Sequence, residues 1–265
     1  MKNCVSLSRR LAMLLEMLPA CECLADIGTD HGYMPIAACS SGKAKRAVAA
    51  DLRPGPLAIA ARNVREAGLE ARIDLRLGNG LTVLEPGEAE LILISGMGGL
   101  LIRDILEACP QVTASARGLL LSPHSEAEQL RAWLSARGFG PVRECALVED
   151  DKYYTAFLVC RDSAPGDWIA TGQPAQTPDG PRAAGTQGQA LPACWSEEEY
   201  AWGSPRLLAG NPALLHQLER RRDECEKLLS HLACNEESER CRQRMQQLGQ
   251  ELEKLKKWEA IYAGT

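Results

Sequence analysis

Short apolar runs alternate with amphipathic stretches over roughly the first 160 positions of this chain, after which the pattern changes. Leu7, Leu11, Leu14, Leu15 and Leu18 recur at helical spacing, with Ser6 available as a cap and Pro19 as a stop. Apolar runs at 24–27, 47–50, 73–77, 91–95 and 118–122 predict strands. Helical stretches at 35–41, 54–67, 100–109 and 125–137 separate them. The second of these stretches has proline in its first turn and Gly68 at its end, Pro110 stops the next, and Gly138 closes the last. Two more β runs, 142–148 and 153–160, flank the acidic turn Glu149-Asp150-Asp151-Lys152 and predict a hairpin. The alternation predicts an α/β fold, a doubly wound sheet with helices on both faces. The hairpin ends that sheet with an antiparallel strand.

Residues 163–196 break the rhythm, with Pro165, Pro174, Pro178, Pro181 and Pro192, frequent glycine and few apolar positions. This composition predicts a linker or mobile loop, whose ends as a flexible coil lie ~30 Å apart. Beyond Gly203 helical spacing returns. Leu218, Arg221, Cys225, Leu228 and Leu232 form one stripe, and Cys241, Met245, Leu248, Leu252 and Leu255 another, with a break at Cys234-Asn235. Two helices joined by a short break predict an antiparallel two-helix coiled coil. The expected organisation is therefore a domain at 1–162, a linker at 163–203 and a helical hairpin at 204–265.

The chemistry concentrates in Leu24-Ala25-Asp26-Ile27-Gly28-Thr29-Asp30-His31-Gly32-Tyr33, an apolar strand that runs into a carboxylate, a glycine turn and a helix. At the carboxyl end of a parallel strand, a ligand meets free backbone N–H groups beside a fixed acid. Twenty-five residues on (51 minus 26), a second apolar run also ends in an acid, Asp51, placed to accept hydrogen bonds from ribose hydroxyls. The loop reads D-x-G-x-D-x-G rather than the G-x-G-x-x-G that closes on a pyrophosphate, and Asp26 and Asp30 repel one. Paired acids suit a nucleoside ligand with positive charge and no phosphate, which describes S-adenosylmethionine. A plain packing turn is the alternative for the loop taken alone.

Composition alters this picture little. A formal net charge of −5 gives no global basic field. Residues 1–62 nevertheless carry eight Lys/Arg against five Asp/Glu, a local +3, whereas 212–265 balances ten against ten. The eleven cysteines are odd in number, show no zinc spacing and mostly sit in apolar runs, which points to a reducing compartment, the cytoplasm. Neither a signal peptide nor an apolar stretch near the ~20 residues of a membrane span is visible. No metal and no membrane are expected, and a monomer is favoured.

The hairpin ending is typical of class I methyltransferases, and the order of motifs resembles one family, the bacterial tRNA (adenine-22-N1)-methyltransferases. The resemblance rests on Ser8-Arg9-Arg10-Leu11, the Asp26 to Pro35 run, Gly78-Asn79-Gly80-Leu81, Ser95-Gly96-Met97-Gly98-Gly99, Leu121-Ser122-Pro123 and the Glu149 to Tyr154 turn. It covers about 5–160 well and the helical tail by character. It implies S-adenosyl-L-methionine as cofactor, tRNA as partner, and methyl transfer to adenine N1. It also implies that Asp26, Gly28 and Asp30 line the methionine end, that Asp51 takes the ribose, and that Asn79 sits beside the adenine where the family usually has an acid. Leu52, Gly78, Gly80, Ser95, Gly96 and Met97 complete the expected cofactor wall. For the reaction, Asp30 is the candidate carboxylate, His31 and Tyr33 position the target base, and Met97 shapes the pocket floor. His124, His216 and His231 read as ordinary. The alternatives are a methyltransferase of this fold acting on another RNA or a small molecule, and a non-catalytic cofactor-binding scaffold.

Overall fold

The computed structural model describes residues 6–161, 194–233 and 239–263. The first helix, α1 (Arg9–Met17), starts two residues later than expected, because the Ser8 hydroxyl rather than Ser6 accepts the Leu11 N–H. Its last carbonyls are met by the Lys43 ammonium, which donates to Leu15, Glu16 and Leu18. Strands β1 (Cys21–Ile27), β2 (Ala44–Asp51), β3 (Ile73–Leu77), β4 (Leu91–Met97) and β5 (Gly118–Pro123) contain every expected strand and run a few residues beyond several of them. Helices α2 (Tyr33–Ser40), α3 (Pro54–Ala67) and α4 (Gly99–Ala108) intervene, then α5 (Pro110–Ser115) and α6 (Ala127–Ser135). Pro110 ends one helix and opens another, since its fixed φ and missing N–H suit the first helical position. Strands β6 (Phe139–Glu149) and β7 (Lys152–Arg161) form the hairpin.

The sheet order is β3-β2-β1-β4-β5-β7-β6. The first five strands are parallel, and β7 lies antiparallel between β5 and β6. Successive residues of each strand serve opposite faces. Leu24, Ala47, Leu91, Leu93 and Leu120 pack with Leu14, Ile36 and Val64 beneath α1 to α3. Ala25, Val48, Ile92, Ile94 and Leu121 pack with Ile102, Leu106, Leu130 and Leu134 beneath α4 and α6. Strand order reverses between β1 and β4, so the crevice for a ligand opens above their carboxyl ends.

After the short α7 (Pro205–Leu208), helices α8 (Pro212–Ala233) and α9 (Glu239–Ala263) pair antiparallel, as the Arg221–Glu251 and Arg222–Glu259 ion pairs record. Leu218, Cys225, Leu248, Leu255 and Tyr262 are buried between them, whereas Leu228 of the expected stripe is 45% exposed. The expected linker lies mostly outside the described residues, as does the break at Cys234-Asn235. Its described end, 194–203, is anchored rather than free. Trp195 is buried edge-to-face against Phe157, 5.4 Å between ring centroids. Arg131 of α6, itself buried, donates to the Tyr200 carbonyl (3.0 Å), while the Glu144 carboxylate of β6 accepts the Ser204 N–H. Among the described residues no helix is long and apolar enough to cross a membrane.

Candidate active site

A cavity of about 550 Å³ opens at the strand-order reversal. Every residue expected to hold the cofactor lines it: Asp26, Gly28, Asp30, Asp51, Leu52, Gly78, Asn79, Gly80, Ser95, Gly96 and Met97. His31 and Tyr33 line it as well. These residues come from the tips of four adjacent strands, which is why a pattern scattered over seventy positions converges.

Asp26 and Asp51 end β1 and β2 side by side and are both buried. Among the described residues the Asp26 carboxylate accepts one hydrogen bond, from the Thr29 hydroxyl (2.7 Å). Burial pushes its carboxyl up to about 6; the Asp51 charge adds to this and the Thr29 hydrogen bond opposes it. A buried acid facing a second acid is an arrangement that a cationic ligand stabilises, and the exposed Arg53 guanidinium stands 3.7 Å from Asp51 Oδ1. Asp51 takes the Arg53 N–H on one oxygen (2.8 Å) and the Asp30 N–H on the other (3.3 Å). Each oxygen keeps a lone pair for a ligand hydroxyl.

The glycine turn is shaped by sterics. Gly28 has φ +77°, and a Cβ there would lie 2.2 Å from the terminal methyl of Met97. Met97 reaches that place because β4 shifts register against β5 between Ser95 and Met97, a bulge that re-aims the following side chain. Asp30 lines the cavity at its rim. Its carboxylate is exposed and paired with His31 Nδ1 (2.7 Å), so its side chain orients the imidazole. The His31 ring in turn stacks on Tyr33 at 5.5 Å and 16°. Leu52, 64% exposed, offers an apolar face at the cavity beside the Asn79 side-chain amide, which has no partner among the described residues.

Gly98 and Gly99 serve a purpose the sequence did not suggest. The Gly99 N–H donates to the Ser125 carbonyl (2.8 Å), and a Cβ on Gly99 would lie 2.4 Å from the Glu126 carbonyl oxygen. The pair of glycines thus lets the loop after β5 sit directly on the loop after β4, where His124 N–H reaches the Met97 carbonyl (2.9 Å). This docking brings His124, expected to be ordinary, into the cavity wall. Arg10 of α1 joins it there, its Nη1 2.6 Å from His124 Nε2. Burial and the cations Arg10 and Lys152 hold His124 below the usual imidazole range, so the neutral ring accepts from the guanidinium. His216 and His231 lie on α8, away from this wall.

A three-layer sheet in this order, with twin carboxylates at neighbouring tips, defines a methyltransferase-type nucleoside site, and the family described as "Methyltransferase domain" matches residues 7–157. The tRNA (adenine(22)-N(1))-methyltransferase of Bacillus subtilis (strain 168) is 39% identical over 156 residues, 59% of this chain and 66% of that protein, so the matched stretch spans just under two thirds of the relative. The crystal structure of the B. subtilis M1A22 tRNA methyltransferase TrmK is 30% identical, with TM-score 0.73 over 96% of this chain and 98% of the other. A putative tRNA (m1A22) methyltransferase of Streptococcus pneumoniae, solved with S-adenosyl-L-methionine, is 26% identical, with TM-score 0.73 over 95% and 99% of the two chains. The chain belongs to this family of tRNA m1A22 methyltransferases.

Proposed function

We propose that this protein transfers a methyl group from S-adenosyl-L-methionine to N1 of an adenine in tRNA, at position 22 as in the family's named members. The observation that carries the reading is the buried Asp26–Asp51 pair at adjoining strand tips, in a chain of this family. In this reading Asp51 holds the ribose, Asp26 faces the cationic end of the cofactor, and Leu52 with Asn79 meets the adenine. Bound there, the cofactor supplies an electrophilic sulfonium methyl. The N1 lone pair of adenine lies in the ring plane and is free at neutral pH, so no side chain has to remove a proton. The protein's work is alignment and exclusion of water. His31 and Tyr33, held as a stacked pair by Asp30, position the base, and Met97 shapes the floor. The methylated base is cationic, and the surrounding carboxylates favour that charge.

The division into 1–162, 163–203 and 204–265 fits the same reading, with the helical pair extending contact with tRNA beyond the cavity. Its exposed Arg242, Arg244 and Lys254 support this. A cytoplasmic location fits the nine described cysteines, none of which forms a disulfide among the described residues. The deciding experiment incubates tRNA with the full chain and labelled cofactor, then digests the RNA to nucleosides. Label in 1-methyladenosine is the expected result; label in another nucleoside, or none, refutes the reading.

Asp26 gives the site a pH signature. Its carboxyl binds a proton more tightly in the folded chain than in the unfolded one, where the value is 3.8. Without ligand, its contribution to stability is therefore greatest below that value and declines as pH rises to about 6. A cationic ligand needs the ionised form, so affinity is full above that pH and falls by ~10-fold per unit below it. Calorimetry at pH 5 and 7.5 should show about tenfold weaker cofactor binding at the lower value. Asp26→Asn should flatten this difference. Equal affinity of the unmodified chain at both pH values removes Asp26 from the cationic end.

A further inference from the structure

The cavity has two chemically opposed walls. Asp26 and Asp51 make one, at the tips of β1 and β2. Arg10 of α1 and His124, just after β5, make the other, and Tyr154 of β7 packs against both, so Arg10 meets partners 114 and 144 residues further along the chain. The Arg10 guanidinium lies over the Tyr154 ring, 5.3 Å from its centroid, and is held at one nitrogen by His124 Nε2. His124 meets the same ring edge-on at 5.6 Å. The arrangement fixes the plane of the guanidinium without neutralising it, for Arg10 forms no ion pair with a carboxylate among the described residues. Glu149, at the end of β6, accepts the backbone N–H of Arg9 (2.6 Å).

A guanidinium braced by an aromatic face, with most of its donors unspent, is matched to a planar or tetrahedral oxyanion rather than to a neutral base. Packing alone does not explain it, since Leu14 and Met17 already fasten α1 to the sheet. An RNA base that enters a pocket is splayed from its stack, and its own backbone phosphate must then sit at the pocket mouth. We propose that Arg10, positioned by Tyr154 and His124, binds a backbone phosphate next to the target nucleotide and so sets how deeply the base enters. The inference rests on the tRNA reading for the identity of the strand. It assigns the acidic wall to the cofactor and the basic wall to the substrate.

The test measures binding of the full chain to a tRNA transcript across a salt series, together with turnover. Arg10→Gln should weaken tRNA binding by ~10- to 100-fold, while S-adenosylmethionine affinity stays within about twofold. The slope of log affinity against log salt should fall in magnitude by ~0.7 to 0.9, the signature of one lost phosphate contact. Arg10→Lys keeps the charge, so it should retain the slope while losing part of the affinity. Tyr154→Leu should behave like Arg10→Lys, since it removes the brace and leaves the cation. The salt slope needs no turnover, so a failure of the methylation reading shows itself separately, as unmodified protein that binds tRNA and makes no 1-methyladenosine. The proposal is overturned if Arg10→Gln keeps the full slope, or if it loses cofactor and tRNA affinity in equal measure.

Discussion

Asp51→Ala is expected to weaken S-adenosylmethionine binding by ~10²- to 10⁴-fold while leaving the sheet intact. Two hydrogen bonds from ligand hydroxyls to a carboxylate contribute about 1.5–3 kcal/mol each, and alanine forfeits both. The same substitution also frees the Arg53 and Asp30 N–H groups, which now end on the two carboxylate oxygens. Those N–H groups lie beside the open cavity, where water can take them, so the stability change should be small compared with the loss of affinity. Asp51→Asn separates the two effects. Its amide oxygen still accepts one backbone N–H, but its NH₂ cannot accept a hydroxyl. Calorimetric titration beside a thermal melt reads both quantities. Wild-type affinity in Asp51→Ala with a wild-type melt would show that the ribose is held elsewhere.

Why Asp51 was visible in the sequence, and Arg10 was not, follows from how each reaches the cavity. Asp26, Gly28 and Asp51 sit at the ends of apolar runs, and the carboxyl end of a parallel strand is where such a fold puts its ligand. One stretch of chain therefore carries both the element and the chemistry. Arg10 and His124 are 114 residues apart and meet only because α1 packs at the β6–β7 end of the sheet while the β5 loop rests on Gly98 and Gly99. His124 did leave a trace, as a polar side chain just past the end of the apolar β5 run, near the strand end where Asp26 and Asp51 also lie. Arg10 showed only as part of the Ser8-Arg9-Arg10-Leu11 motif, with no role attached to it, being one of two adjacent arginines on an amphipathic helix. The Gly96-Met97-Gly98-Gly99 motif was located correctly, yet its two final glycines answer to a neighbouring loop that sequence spacing cannot reveal. The short helix after Pro110 was missed because proline both stops and starts helices, and only the packing of Val112 and Thr113 decides between the two.

Arg131 was equally invisible, a basic residue within a stretch read only as a helix, and its replacement should have the largest effect on stability of any single change outside the cavity. Arg131 and Glu144 are almost wholly buried, Nε to Oε1 3.1 Å. Arg131 also donates to the Tyr200 carbonyl and Thr155 hydroxyl and lies over Phe157, while Glu144 accepts the Ser204 N–H. The pair therefore fastens the chain entering the helical extension to the sheet, helped by the Tyr262 hydroxyl on the Gly203 carbonyl. Arg131→Met fills much of the volume but strands a buried carboxylate, at a cost of ~3–5 kcal/mol, or roughly a 10 °C fall in melting temperature for a chain of this size. Adding Glu144→Gln removes the stranded charge, and its amide oxygen can still accept the Ser204 N–H. The double variant should therefore melt above Arg131→Met, even though Glu144→Gln alone destabilises the parent by leaving Arg131 unpaired. That reversal of sign is the signature of a coupled buried pair. Simple additivity in the cycle would mean that the aromatic packing of Arg131, and not its charge, anchors the segment.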